Sequence, residues 1–192
     1  VLERETPLVV YGPPGTARMV EHVRAAWSED VRLRLDGLEP ATPDGWRIDV
    51  REVEPGLVHA DERVRVHAIP VEHGSWEHAF GYRFETPDRT VVVSGDARPS
   101  PALVEAARGC DVLVHEVYSL ERWRTRPPVW RRYHASFHTS AEELAAIARA
   151  ARPGLLVLTH QLLWGATPEE LLREVRAGYD GPVAYGRDLD VY

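Results

Sequence analysis

Three short apolar runs, each ending in a side chain able to bind a metal or move a proton, constrain this chain more than any other feature. Residues 90–96 read Thr-Val-Val-Val-Ser-Gly-Asp, residues 111–116 read Asp-Val-Leu-Val-His-Glu, and residues 155–160 read Leu-Leu-Val-Leu-Thr-His. Uninterrupted apolar runs of this length, bounded by turn residues, read as buried strands. Ligands of open α/β sheets collect at strand ends. Taken alone, Asp96 reads equally well as a cap for a helix that Pro99 and Pro101 could open. With His115, Glu116 and His160 beside it, the residue types point to a metal site more than to a nucleotide site.

The rest of the chain supplies the frame. Residues 7–11 form a strand, and Gly12-Pro13-Pro14-Gly15 a turn. Thr16 is positioned to cap a helix on which Met19, Val23 and Trp27 share one face, a stripe that reads as core packing. Val31–Leu35 fits helix or strand. Trp46–Val53 alternates as a half-buried strand, residues 54–61 read as a turn carrying a surface His59, and His67 falls on a solvent-facing side with arginines. Further strands run to His73 and begin at Phe80. A helix over 100–108 is closed by Gly109. Residues 118–138 read as a long irregular segment rich in Trp, Arg and Pro, the kind of loop that often carries function. Ser140 and Glu143 form a capping box for an Ala-rich helix, Pro168 opens the last helix, and residues 182–185 make the last strand. The order predicts an α/β fold with a mixed sheet, as one domain over residues 1–192.

Composition narrows the partners. The 192 residues carry a net charge of −7, which opposes broad electrostatic binding to nucleic acid. No apolar run reaches membrane-span length. Cys110 is the only cysteine, so no intrachain disulfide and no Cys-based zinc site can form, and its place before an apolar strand predicts a buried structural thiol. The opening Val1-Leu2-Glu3-Arg4-Glu5 lacks an initiator Met and reads as a chain entered partway. A cytoplasmic location is the default expectation.

The chemical candidates are His73, His78, Asp96, His115, Glu116, His134, His138 and His160. In their order, His73-Gly74, Ala79-Phe80-Gly81-Tyr82-Arg83, Ser94-Gly95-Asp96, His115-Glu116, His138-Thr139-Ser140 and Leu158-Thr159-His160 resemble the ribonuclease Z branch of the metallo-β-lactamase fold. The Gly12–Gly15 turn matches the one preceding these motifs. The resemblance implies an αββα sandwich of which this chain resembles the C-terminal half, because the family's His-x-His-x-Asp-His motif, expected upstream of that turn, is absent. It implies a zinc-dependent hydrolase of phosphodiesters or related esters using a di-metal-activated hydroxide. Two Zn2+ ions are expected in a complete site, with Mn2+ or Fe as alternatives. Carried over, His73, Asp96 and His160 resemble metal ligands, with Asp96 bridging. Glu116 and His138 resemble the pair that delivers a proton to the leaving group. His115 and His134 are secondary candidates, and His78 competes with His73 because the spacing from Gly74 to Ala79 is longer than usual.

The same resemblance limits the substrate. Only residues 85–89 separate two strands where tRNA-processing members carry a long tRNA-gripping arm. Together with the acidic charge this disfavours tRNA and favours a small or nucleotide-like anionic ester. Arylsulfatase-type or lactone hydrolysis is the rival chemistry. The Trp- and Arg-rich segment containing Trp123 and Trp130 is either a binding surface for an anionic or aromatic substrate or a loop packed on the domain. The alternative class is a non-catalytic or incomplete half-domain, completed by a missing N-terminal half or a second chain, with a homodimer as one form.

Overall fold

A computed structural model describes residues 3–192; of the opening run, Val1 and Leu2 lie outside the described residues. Two compact units divide the chain, Val1–Glu54 and Pro55–Tyr192.

In the first unit, β1 (Leu8–Gly12) is followed by α1 (Thr16–Ala26), α2 (Ser28–Asp36), a short α3 (Pro43–Trp46) and β2 (Ile48–Glu52), and the two strands pair in parallel. Val31–Leu35 is thus helical. Thr16 does not cap α1. Its hydroxyl donates back to the Pro13 carbonyl, while the Glu52 carboxylate accepts from Gly15 N–H and Ala17 N–H at the helix start. This carboxylate complements the positive end of the helix. The stripe expected to be core is not buried: Met19, Val23 and Trp27 are 59%, 53% and 61% exposed. Periodicity identified a shared face correctly but not what lies against it. Val23 and Trp27 instead help line an open apolar groove of about 720 Å³ with Val31, Trp46 and Val50.

The second unit is built on a seven-stranded mixed sheet. Its first four strands, β3 (Gly56–Ala60), β4 (Arg65–Pro70), β5 (Phe80–Glu85) and β6 (Thr90–Val93), form an antiparallel meander. Residues 56–60, expected in a turn, become β3 because β4 offers them a hydrogen-bonding partner. From β6 the sheet is parallel. Helix α4 (Pro101–Ala106) leads to β7 (Val112–Tyr118); α5 (Leu120–Arg124), α6 (Pro128–Phe137) and α7 (Ala141–Ala151) lead to β8 (Leu155–Leu162); α8 (Pro168–Arg176) leads to β9 (Val183–Tyr185). Parallel strands need such crossovers. The segment expected to be irregular therefore holds α5 and all of α6. Pro128 sits in the first turn of α6, where its missing N–H is harmless.

One register row shows how the core forms. Val92, Leu113, Leu156 and Val183 lie side by side across four parallel strands, and the first three are fully buried. Leu103 of α4, Leu144 and Ala148 of α7, and Leu171 and Val175 of α8 pack in the same cluster. The buried residues of α7 recur at three- and four-residue spacing, as a helix covering a sheet requires. Ser140 caps α7 in a complete capping box with Glu143. Cys110 belongs to this core, and burial pushes its thiol up to about 11. Because β6, β7 and β8 run in parallel, their C-terminal ends open on one edge, and the candidate side chains gather there. Among the described residues, no helix is long and apolar enough to cross a membrane.

Candidate metal centre

Asp96, His138 and His160 converge: each offers a ligand atom, and these atoms lie within 4.8 Å of one another. Asp96 stands two residues past Ser94, at the end of β6, and its Oδ2 is 3.2 Å from His160 Nε2. His160 reaches it through an irregularity. The β7–β8 register pairs Glu116 with Thr159 and then Val117 with Gln161, so His160 is an extra residue in the ladder. Its φ is 41°, in the left-handed region that a histidine seldom adopts. A bulge of this kind re-aims one side chain at a strand end. Both side chains remain open to solvent, Asp96 at 42% and His160 at 46%.

Glu116 holds the surrounding loops. It is fully buried on β7, and its Oε1 accepts from Ala97 N–H at 3.2 Å and Thr139 N–H at 2.9 Å. Those residues directly follow Asp96 and His138, so one carboxylate pins both segments that carry them. The Thr139 hydroxyl donates to the Ala97 carbonyl at 2.6 Å and closes the clamp. His138 Nδ1 lies 3.4 Å from the same oxygen, without the alignment of a hydrogen bond, and Oε2 has no partner among the described residues. Burial raises the Glu116 pKa, opposed by His138 and by the two N–H donors.

His73 is placed by the end of α6. Its Nδ1 donates to the Phe137 carbonyl at 2.9 Å, and Gly74 N–H donates to the Ser136 carbonyl at 2.9 Å. Both carbonyls belong to the last turn of α6, where intrahelical donors run out. With Nδ1 carrying a proton, Nε2 keeps the lone pair that a metal needs. The His73 ring lies 5.5 Å from that of His138, beside the converged trio rather than in it.

The secondary candidates separate from this centre. His115 is fully buried, next to Glu116 on the strand and hence directed to the opposite face. Its Nδ1 donates to the Glu116 carbonyl at 2.6 Å, its Nε2 has no partner among the described residues, and burial lowers its pKa to about 4. His134 is buried on α6, donates through Nδ1 to the Trp130 carbonyl at 2.7 Å, and packs on Trp164. Burial lowers its pKa. His78 is half-buried in the connection to β5 and lies outside the trio. Sequence reasoning missed the bulge at His160, the backbone grip of Glu116 and the Phe137 carbonyl that orients His73. Only the glycines at 74 and 95, both with positive φ, hinted at tight turns there.

The profile of the beta-lactamase superfamily domain matches residues 2–161. The chain belongs to the beta-lactamase superfamily. Within it, the chain is 34% identical over 187 residues to the ribonuclease Z of Mycobacterium sp. (strain KMS), covering 96% of this chain and 65% of that protein. This superfamily member therefore spans slightly less than two thirds of that relative's length. Among solved structures, the metallo-beta-lactamase fold protein YhfI of Bacillus subtilis superposes with a TM-score of 0.64 at 17% identity, covering 94% of this chain and 63% of the other. Human tRNase Z, short form, does so at 0.61 and 18%, covering 84% and 66%. At such identities the likeness is one of fold. It agrees with the α/β class and mixed sheet expected from the sequence.

Proposed function

We propose that this protein is a metal-dependent hydrolase of phosphodiesters or related esters. The observation that carries the reading is the convergence of Asp96, His138 and His160 beside the buried Glu116. The donors fit a metal. Imidazole and carboxylate together suit zinc, and the Nδ1 bond of His73 leaves its Nε2 free to coordinate. In this reading His73, Asp96 and His160 would hold zinc, with two ions in a complete site. When bound, the metal supplies Lewis acidity toward a phosphoryl oxygen and lowers the pKa of water.

His138 is the proton carrier. With Nδ1 turned to Glu116, the opposite ring nitrogen faces the leaving oxygen and donates to it. The Glu116 carboxylate, 3.4 Å from Nδ1, stabilises the charged form of the ring. General acid catalysis of this kind contributes about 10²–10⁴-fold. The turn between β5 and β6 is closed within residues 86–89, and the absence of an arm there supports a small or nucleotide-like ester over tRNA.

The test is hydrolysis of bis(p-nitrophenyl) phosphate by the zinc-loaded protein, with aryl sulfate, lactone and precursor tRNA as rival substrates. Asp96→Ala is expected to abolish both activity and zinc binding. His138→Ala is expected to keep the zinc and lose about 10²–10⁴-fold in rate. Full activity in Asp96→Ala sinks the proposal. A second reading follows from the three proposed ligands, His73, Asp96 and His160, which are few for two metals: the site is completed by another segment or chain. Elemental analysis finding little zinc per chain would favour it.

A further inference from the structure

The four residues Trp130, Tyr133, His134 and Phe137 stand at i, i+3, i+4 and i+7 on α6, one face of the helix. Three of their rings continue as a row. Trp130 meets Tyr133 edge-on at 5.8 Å between centroids, Tyr133 stacks on Phe137 at 4.5 Å, and Phe137 meets His73 edge-on at 5.0 Å. The inner end of the row is therefore a candidate metal ligand. Its outer end lies in solvent, with Trp130 47% and Tyr133 45% exposed. One exposed aromatic is ordinary on a protein surface, but a row of rings leading into a site is a continuous aromatic surface, here with Trp130 set at 86° to Tyr133 so that the two exposed rings make a corner.

Two features keep this row from being plain packing. The segment's other tryptophan is already engaged: Trp123 donates through Nε1 to the Arg131 carbonyl and lies beneath the Arg131 guanidinium. Trp130 has no such hydrogen bond among the described residues; its ring lies tilted 5.8 Å from that of His134 and stays half-open to solvent. The charge nearby is also locally inverted. Residues 122–132 carry five arginines in a chain whose net charge is −7; Arg122 pairs with Glu170 and Arg126 and Arg131 lie over Trp164 and Trp123, which leaves the exposed Arg124 and Arg132 for an anion. Exposed rings among arginines suit an anion that carries a flat group.

We propose that Trp130 and Tyr133 form a stacking platform for the planar aromatic group of the substrate, making the protein selective for aryl or nucleoside phosphoesters. The proposal rests on the hydrolase reading for where the phosphate sits. With the phosphate held near Asp96 and His160, the ring lies outward along Phe137, Tyr133 and Trp130. Both are specificity residues, since neither touches the reacting atoms.

The experiment is isothermal titration calorimetry on the zinc-loaded full chain with three phosphomonoesters: adenosine 5′-monophosphate, phenyl phosphate and ribose 5-phosphate. The aromatic ligands are expected to bind about 5- to 150-fold more tightly than ribose 5-phosphate, the span of base–aromatic stacking. The double variant Trp130→Ala/Tyr133→Ala is expected to erase that preference and leave ribose 5-phosphate binding unchanged. The double variant Trp130→Phe/Tyr133→Phe, which keeps both rings, should retain the preference, as should Val129→Ala at an equally exposed aliphatic neighbour. A preference for both aromatic ligands marks any aryl group as the determinant; one for the adenosine ligand alone marks the nucleobase. Equal binding of all three, binding of none, or a preference that survives loss of both rings overturns the proposal. A protein that hydrolyses bis(p-nitrophenyl) phosphate without this preference defeats the platform alone. One that shows the preference but hydrolyses nothing defeats the hydrolase reading alone.

Discussion

Replacing His115 by Gln should flatten the acid side of this protein's stability profile. His115 is fully buried in β7, and its pKa falls from the ordinary 6.5 to about 4 because burial penalises the charged ring. Between those values the unfolded chain binds a proton that the folded chain refuses. Stability from this group is thus fully present above pH 6.5, declines as pH falls through the window, and is gone below about 4. At ~1.4 kcal/mol per pH unit the whole gap is worth about 3 kcal/mol, of which about 2 kcal/mol is lost between pH 7 and pH 5. The glutamine side chain would keep an N–H donor for the Glu116 carbonyl but would not titrate. The assay is urea unfolding followed by Trp fluorescence at pH 7 and 5, with a chelator present so that metal release does not enter. The wild type should lose about 2 kcal/mol more than His115→Gln over that interval. His134 shifts in the same direction but is common to both proteins and cancels. Parallel profiles for the two proteins would refute the reasoning, since they would mean that His115 is charged in the folded state at pH 5.

Two further outcomes follow from packing. Gly74 has φ 56°, and a Cβ there would lie 2.1 Å from the Phe137 ring; Gly74→Ala should destabilise by about 1–3 kcal/mol in urea unfolding and weaken zinc binding through His73, and Phe137→Ala should relieve part of that loss in the double variant. Cys110, 1% exposed and with its pKa raised to about 11 by burial, should resist a thiol-labelling reagent at pH 8 and react only once denaturant is added; prompt labelling of the native protein would contradict its place in the core.

Features whose signals are local were legible in the residues. Apolar runs marked β6, β7 and β8, the Ser140–Glu143 spacing marked the start of α7, and the short motifs named Asp96, His138 and His160, which the fold brings together. Local pattern also identified the shared face of α1, yet assigned it to a core from which Met19, Val23 and Trp27 are excluded. It read the Trp- and Arg-rich segment as irregular although Trp130, Tyr133, His134 and Phe137 repeat with helical spacing, because composition outweighed periodicity. How the site is held emerges only from the folded chain. Glu116 grips Ala97 and Thr139 from 19 and 23 residues away, and His73 meets the Phe137 carbonyl across 64 residues. The bulge that turns His160 toward Asp96 exists only in the register between β7 and β8. Such contacts depend on which segments fold side by side. No window of sequence contains both partners, so the candidate side chains were legible in the residues and their arrangement was not.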